Sequence, residues 1–110
     1  MSVNLNIFHP SLKLAYAFLI TFCVENDLPF NITSMHRSGD SGPHGSLPLR
    51  AFDFSIKGWE EVDMLKFEHE INLKYEYLGA KSLSDNVQRL VIFHEVEGRG
   101  SLHGHIQVLP

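Results

Sequence analysis

The chain has 110 residues, a formal net charge of -4, 44% hydrophobic residues and a single cysteine. This length suits one compact domain over residues 1–110, and the acidic balance argues against a nucleic-acid or anionic-membrane partner, because both reward basic surfaces. The lone Cys23 excludes an internal disulfide, and its apolar surroundings predict a buried structural thiol rather than a reactive one.

The first half of the chain predicts one helix and two strands. Apolar residues recur three or four positions apart over residues 10–26, with Pro10 in the first turn, which is typical of a buried helix. A short strand is predicted at 30–33, followed by a polar, glycine-containing loop at 38–46. Residues 50–56 alternate like a half-buried strand and place Asp53 on its polar side.

The second half predicts an amphipathic helix and a hairpin. The helix spans 59–75, and its apolar face is formed by Val62, Leu65, Ile71 and Tyr75, with Phe67 nearby. Residues 89–94 and 102–109 are strand-like, and the glycine-containing segment 98–101 between them supplies turn residues. These elements predict an α+β domain with a small, mainly antiparallel sheet and flanking helices. Trp59, Tyr75 and Tyr77 are interpreted as core or helix-end packing.

Histidines and one aspartate on predicted strands suggest a metal site. His103 and His105 are two residues apart in a strand, so both project from one face, and Asp53 lies on the polar side of another strand. His44 lies in the loop just before that strand. Two imidazoles and a carboxylate form a ligand set that zinc accepts, with a fourth position left for water. The alternative is that these histidines are scattered and bind nothing; His9, His36, His69 and His94 are interpreted as structural.

Three segments together resemble a family of zinc metallopeptidases. Ser34-Met35-His36-Arg37 matches its Ser-x-x-Arg segment, His44-Gly45 with Arg50-Ala51-Phe52-Asp53 its H-x-x-G-x-A-x-D motif, and His103-Gly104-His105 its H-x-H strand. That family includes D-Ala-D-Ala peptidases, phage peptidoglycan endopeptidases and the hedgehog signalling domain. The interval from His44 to Asp53 is longer here than in the family motif, and residues 47–49 would have to bulge outward to keep both ligands on one ion.

The resemblance implies a role for each matching residue. It makes His44, Asp53 and His105 the ligands of a Zn²⁺ ion, and Arg37 the donor that steadies the oxyanion or holds a substrate carboxylate. His103 becomes the non-ligand histidine that hydrogen-bonds the transition state. D-Ala-D-Ala peptidases carry a glutamate shortly before the last ligand. Glu95 and Glu97 are the nearest candidates for that base, and His103 is the alternative.

The implied function is hydrolysis of an amide bond in peptidoglycan stem peptides. Either a D-Ala-D-Ala-type carboxypeptidase or an L-Ala-D-Glu endopeptidase fits this function. The resemblance implies a hedgehog/DD-peptidase-like fold, and we expect a monomeric protein that does not insert stably into a membrane. The chain shows no signal peptide. We therefore expect a phage or prophage lysin (endolysin) that stays in the cytoplasm until it is released to the cell wall, or a virion-associated component. The alternatives are a non-catalytic zinc-binding interaction module of the same fold and a zinc-independent structural protein.

Overall fold

The computed structural model describes residues 3–35, 48–82, 85–95 and 102–110, with Glu95 described by its backbone alone. Within these ranges the chain forms two α-helices, a four-stranded antiparallel sheet and a two-stranded sheet. The elements are α1 (Pro10–Glu25), β1 (Ile32–Ser34), β2 (Ala51–Ser55), α2 (Glu61–Tyr75), β3 (Ala80–Lys81), β4 (Gln88–Arg89), β5 (Val91–Glu95) and β6 (Leu102–Gln107). The predicted α+β class with an antiparallel sheet is confirmed; the hedgehog-like assignment stays a prediction.

Helix α1 forms as predicted and supplies one wall of the core. Pro10 occupies its first turn, and the Nδ1 atom of His9 accepts a hydrogen bond from the backbone N–H of Ser11 at 3.1 Å. This contact caps the helix, which confirms a structural role for His9. The helix ends at Glu25 and is capped by Asn26, whose backbone N–H donates to the carbonyl of Phe22. Its buried residues are Leu12, Ala15, Leu19, Phe22 and Cys23.

Helix α2 is shorter than predicted, and its predicted apolar face was partly wrong. It starts after Glu60, which forms a capping box with Asp63. Phe67 and Ile71 are buried, but Val62 and Leu65 are 62% and 60% exposed. The helical period explains this difference, because the buried positions align with the partly buried residues Met64 and Tyr75 rather than with Val62 and Leu65.

The aromatic residues near α2 differ in their roles. Trp59 belongs to the core, and its indole Nε1–H donates to the carbonyl of Pro29 at 3.2 Å. Tyr75 packs against the core, whereas Tyr77 is 68% exposed, so the predicted packing role of Tyr77 was wrong. Tyr77 precedes the short strands β3 and β4, which the sequence did not predict. None of the described helices is long and apolar enough to cross a membrane.

The four-stranded sheet has the order β1-β2-β6-β5, so β2 and β6 are its central strands. The predicted C-terminal hairpin is confirmed by the pairing of β5 with β6. On one face, Phe52 and Phe54 pack into the core with the helices, and Phe54 lies 6.0 Å from Phe67 between ring centroids. Strand β2 is not half-buried as predicted, because Asp53 on its other face is also only 7% exposed.

Cys23 behaves as the predicted structural thiol. Its side chain is 2% exposed, and burial raises the pKa of the thiol to about 11. The reactive thiolate is therefore disfavoured at neutral pH in the folded chain. We expect alkylation by iodoacetamide at pH 7.5 to be negligible in the native protein and rapid in urea. Mass spectrometry of both samples checks this, and fast native labelling would contradict the burial of Cys23.

Candidate metal centre

The candidate site lies on the polar face of the four-stranded sheet and follows from its register. His105 in β6 pairs with Asp53 in β2 on one side and with Ile92 in β5 on the other. The next rung on the same face of the sheet, two residues along β6, pairs His103 with Ser55 and with His94 in the same way. Directly paired residues of antiparallel strands share a face, so the polar side chains of both rungs project together.

Asp53 and His105 form the centre of the site. The Nδ1 atom of His105 lies 2.7 Å from the Oδ1 atom of Asp53, and the two side chains are 13% and 9% exposed. At this distance a proton on Nδ1 is donated to the carboxylate in a short, charge-assisted hydrogen bond. The sequence expectation that these two residues act together is therefore supported by direct contact, across a strand pair separated by 52 positions.

His94 joins this pair, although it was interpreted from the sequence as a structural histidine. One possible ligand atom from each of Asp53, His94 and His105 lies within 4.8 Å of the other two. Asp53 is buried, His105 is half-buried and His94 is exposed. The rings of His94 and His105 meet edge to face, with centroids 5.7 Å apart. The hairpin register could have revealed His94, since a β5–β6 pairing brings it beside H-x-H.

The donor atoms fit a small divalent cation. Ligands bound to zinc at about 2.0 Å in tetrahedral geometry lie about 3.3 Å from one another. The 2.7 Å contact between Asp53 and His105 is shorter than that, so cation binding requires loss of the proton between them and a small separation. One carboxylate and two imidazoles form a ligand set that suits zinc, but other divalent transition metals accept it too. Asp53, His94 and His105 thus lie close enough to hold a metal ion.

Several predicted site residues lie outside the described residues. Arg37, His44 and Glu97 are among them, as is the side chain of Glu95, whose backbone pairs with Leu102 at the end of β5. Their predicted roles stay predictions. The Ser-x-x-Arg segment begins at Ser34, and Ser34 is the register partner of Asp53. The first residue of the Ser-x-x-Arg segment therefore lies beside the candidate ligand Asp53.

His103 lies one rung from the Asp53–His105 pair, at the wall of a cavity. Two positions along a strand correspond to about 7 Å. The cavity has a volume of about 400 Å³ and is lined by Ser55, Ile56, Lys57, Leu102 and His103. A second hollow of about 460 Å³ is a shallow groove along α2 and includes none of the candidate ligands. Of these two cavities, the one lined by His103 and Ser55 lies nearer the Asp53–His105 pair, because both residues are two positions along their strands from that pair.

Gln107 was missed by the sequence analysis. It lies on the same face of β6 as His103 and His105, is 5% exposed, and its Oε1 atom lies 3.1 Å from the Nε2 atom of His105. A glutamine two residues beyond a candidate ligand is visible in the sequence, because alternate strand positions share a face. Its depth in the fold is what the pattern did not reveal.

No protein-family model, no curated protein and no solved structure matches this chain. The resemblance to zinc metallopeptidases accordingly stays a prediction from the motifs.

Proposed function

We propose that this chain is a zinc-dependent hydrolase that cleaves an amide bond in peptidoglycan stem peptides, as a phage or prophage lysin. The observation that carries the proposal is the 2.7 Å contact between Asp53 and His105, with His103 one rung away beside a cavity. Asp53 is the last residue of the H-x-x-G-x-A-x-D motif, and His103 and His105 are the two histidines of H-x-H. Their convergence on one face supports a common role that scattered, unrelated histidines would not have.

Asp53 and His105 are the proposed metal ligands common to all variants of the proposal. The third is His44 on the resemblance, or His94, which lies within 4.8 Å of both. When bound, zinc supplies a Lewis acid that polarises a carbonyl oxygen and lowers the pKa of water to about 7. Asp53, nearly buried between β1 and β6, would hold its carboxylate in one orientation, since both neighbouring strands restrain it.

The remaining steps belong to residues around the cavity. His103 is the proposed general base that takes a proton from the attacking water and returns it to the leaving amine. Glu95 and Glu97 are the alternatives for this role. Arg37 is the proposed donor to the oxyanion of the tetrahedral intermediate, or to a substrate carboxylate. The choice between a D-Ala-D-Ala-type carboxypeptidase and an L-Ala-D-Glu endopeptidase follows from which peptide end the cavity accepts.

Digestion of purified peptidoglycan tests the proposal and names the bond. We expect the zinc-loaded protein to release defined fragments identified by mass spectrometry, D-Ala for a carboxypeptidase or new N-terminal D-Glu peptides for an endopeptidase. His103→Ala should lower turnover by about 10²- to 10⁴-fold, the usual contribution of a general base, while zinc content stays at the wild-type level. His69→Ala, on the exposed face of α2, is the matched control.

Two outcomes would contradict the proposal. The first is that stem peptides stay intact after treatment with zinc-loaded protein, under conditions where a known lysin cuts them. This result would rule out the proposed hydrolase activity. Loss of zinc from His103→Ala would instead make His103 a ligand and transfer the base role to another residue.

A non-catalytic zinc-binding module is the second candidate, and the position of His94 favours it. If His94 and His44 both bind together with Asp53 and His105, four protein ligands close the tetrahedron, as in structural zinc sites. Such a centre would retain zinc without turnover. Stoichiometric zinc in a protein that cleaves no stem-peptide bond is the result that selects this candidate.

A further inference from the structure

Gln107 makes three hydrogen bonds that define the orientation of its amide. Its Nε2 atom donates to the carbonyl of Ala80 at 3.1 Å and to the carbonyl of Arg89 at 3.2 Å. Carbonyl oxygens only accept hydrogen bonds, so the NH₂ group must face these two residues. The amide oxygen of Gln107 is thereby directed at the Nε2 atom of His105, at 3.1 Å.

This orientation selects one nitrogen of His105 as the metal ligand. An amide oxygen cannot donate, so the contact with Gln107 requires a proton on Nε2 of His105. A cation that binds His105 therefore takes the place of the proton between Nδ1 and the Asp53 carboxylate, 2.7 Å apart, while Nε2 keeps its proton. Without Gln107, the contact that keeps the proton on Nε2 would be lost, and the orientation of the ring would depend on its other contacts, those with Asp53 and His94 among them.

The same glutamine joins the candidate centre to the small β3–β4 sheet. Ala80 is in β3 and Arg89 is in β4, and these strands pair with each other at those two residues. One side chain therefore holds both short strands and the ring of His105. Two-residue strands have few backbone hydrogen bonds of their own, so the two hydrogen bonds from Gln107 add to what holds them in place.

We propose that Gln107 is a positioning residue of the metal centre: it holds His105 with Nε2 protonated and Nδ1 directed at the metal. This inference rests on the metal-binding part of the proposed function and not on the hydrolysis. Partners that orient a ligating histidine in this way change metal affinity by about 10- to 100-fold when removed.

Zinc affinity of three proteins tests the inference, measured by competition with a chromophoric chelator. Gln107→Met keeps the side-chain length and removes both polar groups, and we expect it to bind zinc about 10- to 100-fold more weakly than the wild type. Gln88→Met is the matched control, because Gln88 also donates to two backbone carbonyls, those of Tyr77 and Gly79, and its described hydrogen bonds do not include one to His105. We expect its zinc affinity to match the wild type.

A second measurement on the wild type needs no variant. In protein loaded with cadmium-113 as the probe, NMR should show one-bond coupling of the metal to Nδ1 of His105 and a proton on Nε2. Coupling to Nε2 would overturn the inference, as would wild-type zinc affinity in Gln107→Met. Absence of zinc or cadmium binding by the wild type would overturn the metal centre itself, so the two failures are distinguishable.

Discussion

His105→Ala is expected to weaken zinc binding by more than about 100-fold, because even residues that only orient a ligand change affinity by 10- to 100-fold. His105 contacts Asp53 at 2.7 Å and lies beside His94, so its loss removes the central donor of the group. The measurement is metal content by mass spectrometry after dialysis, with affinity by chelator competition. The proposed cleavage of peptidoglycan should disappear together with the metal.

A thermal readout separates metal loss from misfolding. Zinc at 100 times its dissociation constant should stabilise the wild type by about 2.7 kcal/mol, and this increment should be absent from His105→Ala. His69→Ala should keep it. Parallel measurements on His44→Ala and His94→Ala identify the third ligand, since the true ligand loses the increment. An equal zinc-dependent shift in wild type and His105→Ala would contradict the assignment of this centre.

Gly104→Ala is expected to destabilise the fold by about 3 kcal/mol, at the upper end of the usual cost of overpacking. A Cβ atom at Gly104 would lie 2.1 Å from the Cζ atom of Phe54, across the strand pair. Phe54 is fully buried and its ring contacts Trp59, Phe67 and Phe93, so it has no free space to move into. Urea denaturation followed by the fluorescence of Trp59 measures the loss.

A smaller partner at position 54 provides the control for Gly104→Ala. Phe54→Leu leaves room for the added methyl group. The loss in free energy of unfolding of the double variant should therefore be smaller than the sum of the losses of the two single variants, because the effects of substitutions at contacting residues are not additive. Strict additivity would show that the clash with Phe54 is not the cause. The glycine of H-x-H thus has a packing reason: it lets the core ring of Phe54 lie directly beneath the strand that carries both histidines.

The elements whose burial follows their own periodicity were predicted well. Helix α1 and the β5–β6 hairpin have regular apolar patterns, and both formed near the expected bounds. Helix α2 was predicted in place, but two of its expected core residues, Val62 and Leu65, are exposed, because several apolar stripes were available and only the packing partner selects one. The β3–β4 sheet could not be predicted, since two-residue strands carry no period.

The sequence alone determined that His103 and His105 share a face and that Asp53 lies on a strand, because side-chain alternation is a local property of the backbone. Only the tertiary structure decided that Asp53 pairs with His105, that His94 joins them and that Gln107 holds the far side of the ring. The physical reason is that strand order and register depend on contacts between distant segments, and a slip by one residue would place these side chains on opposite faces.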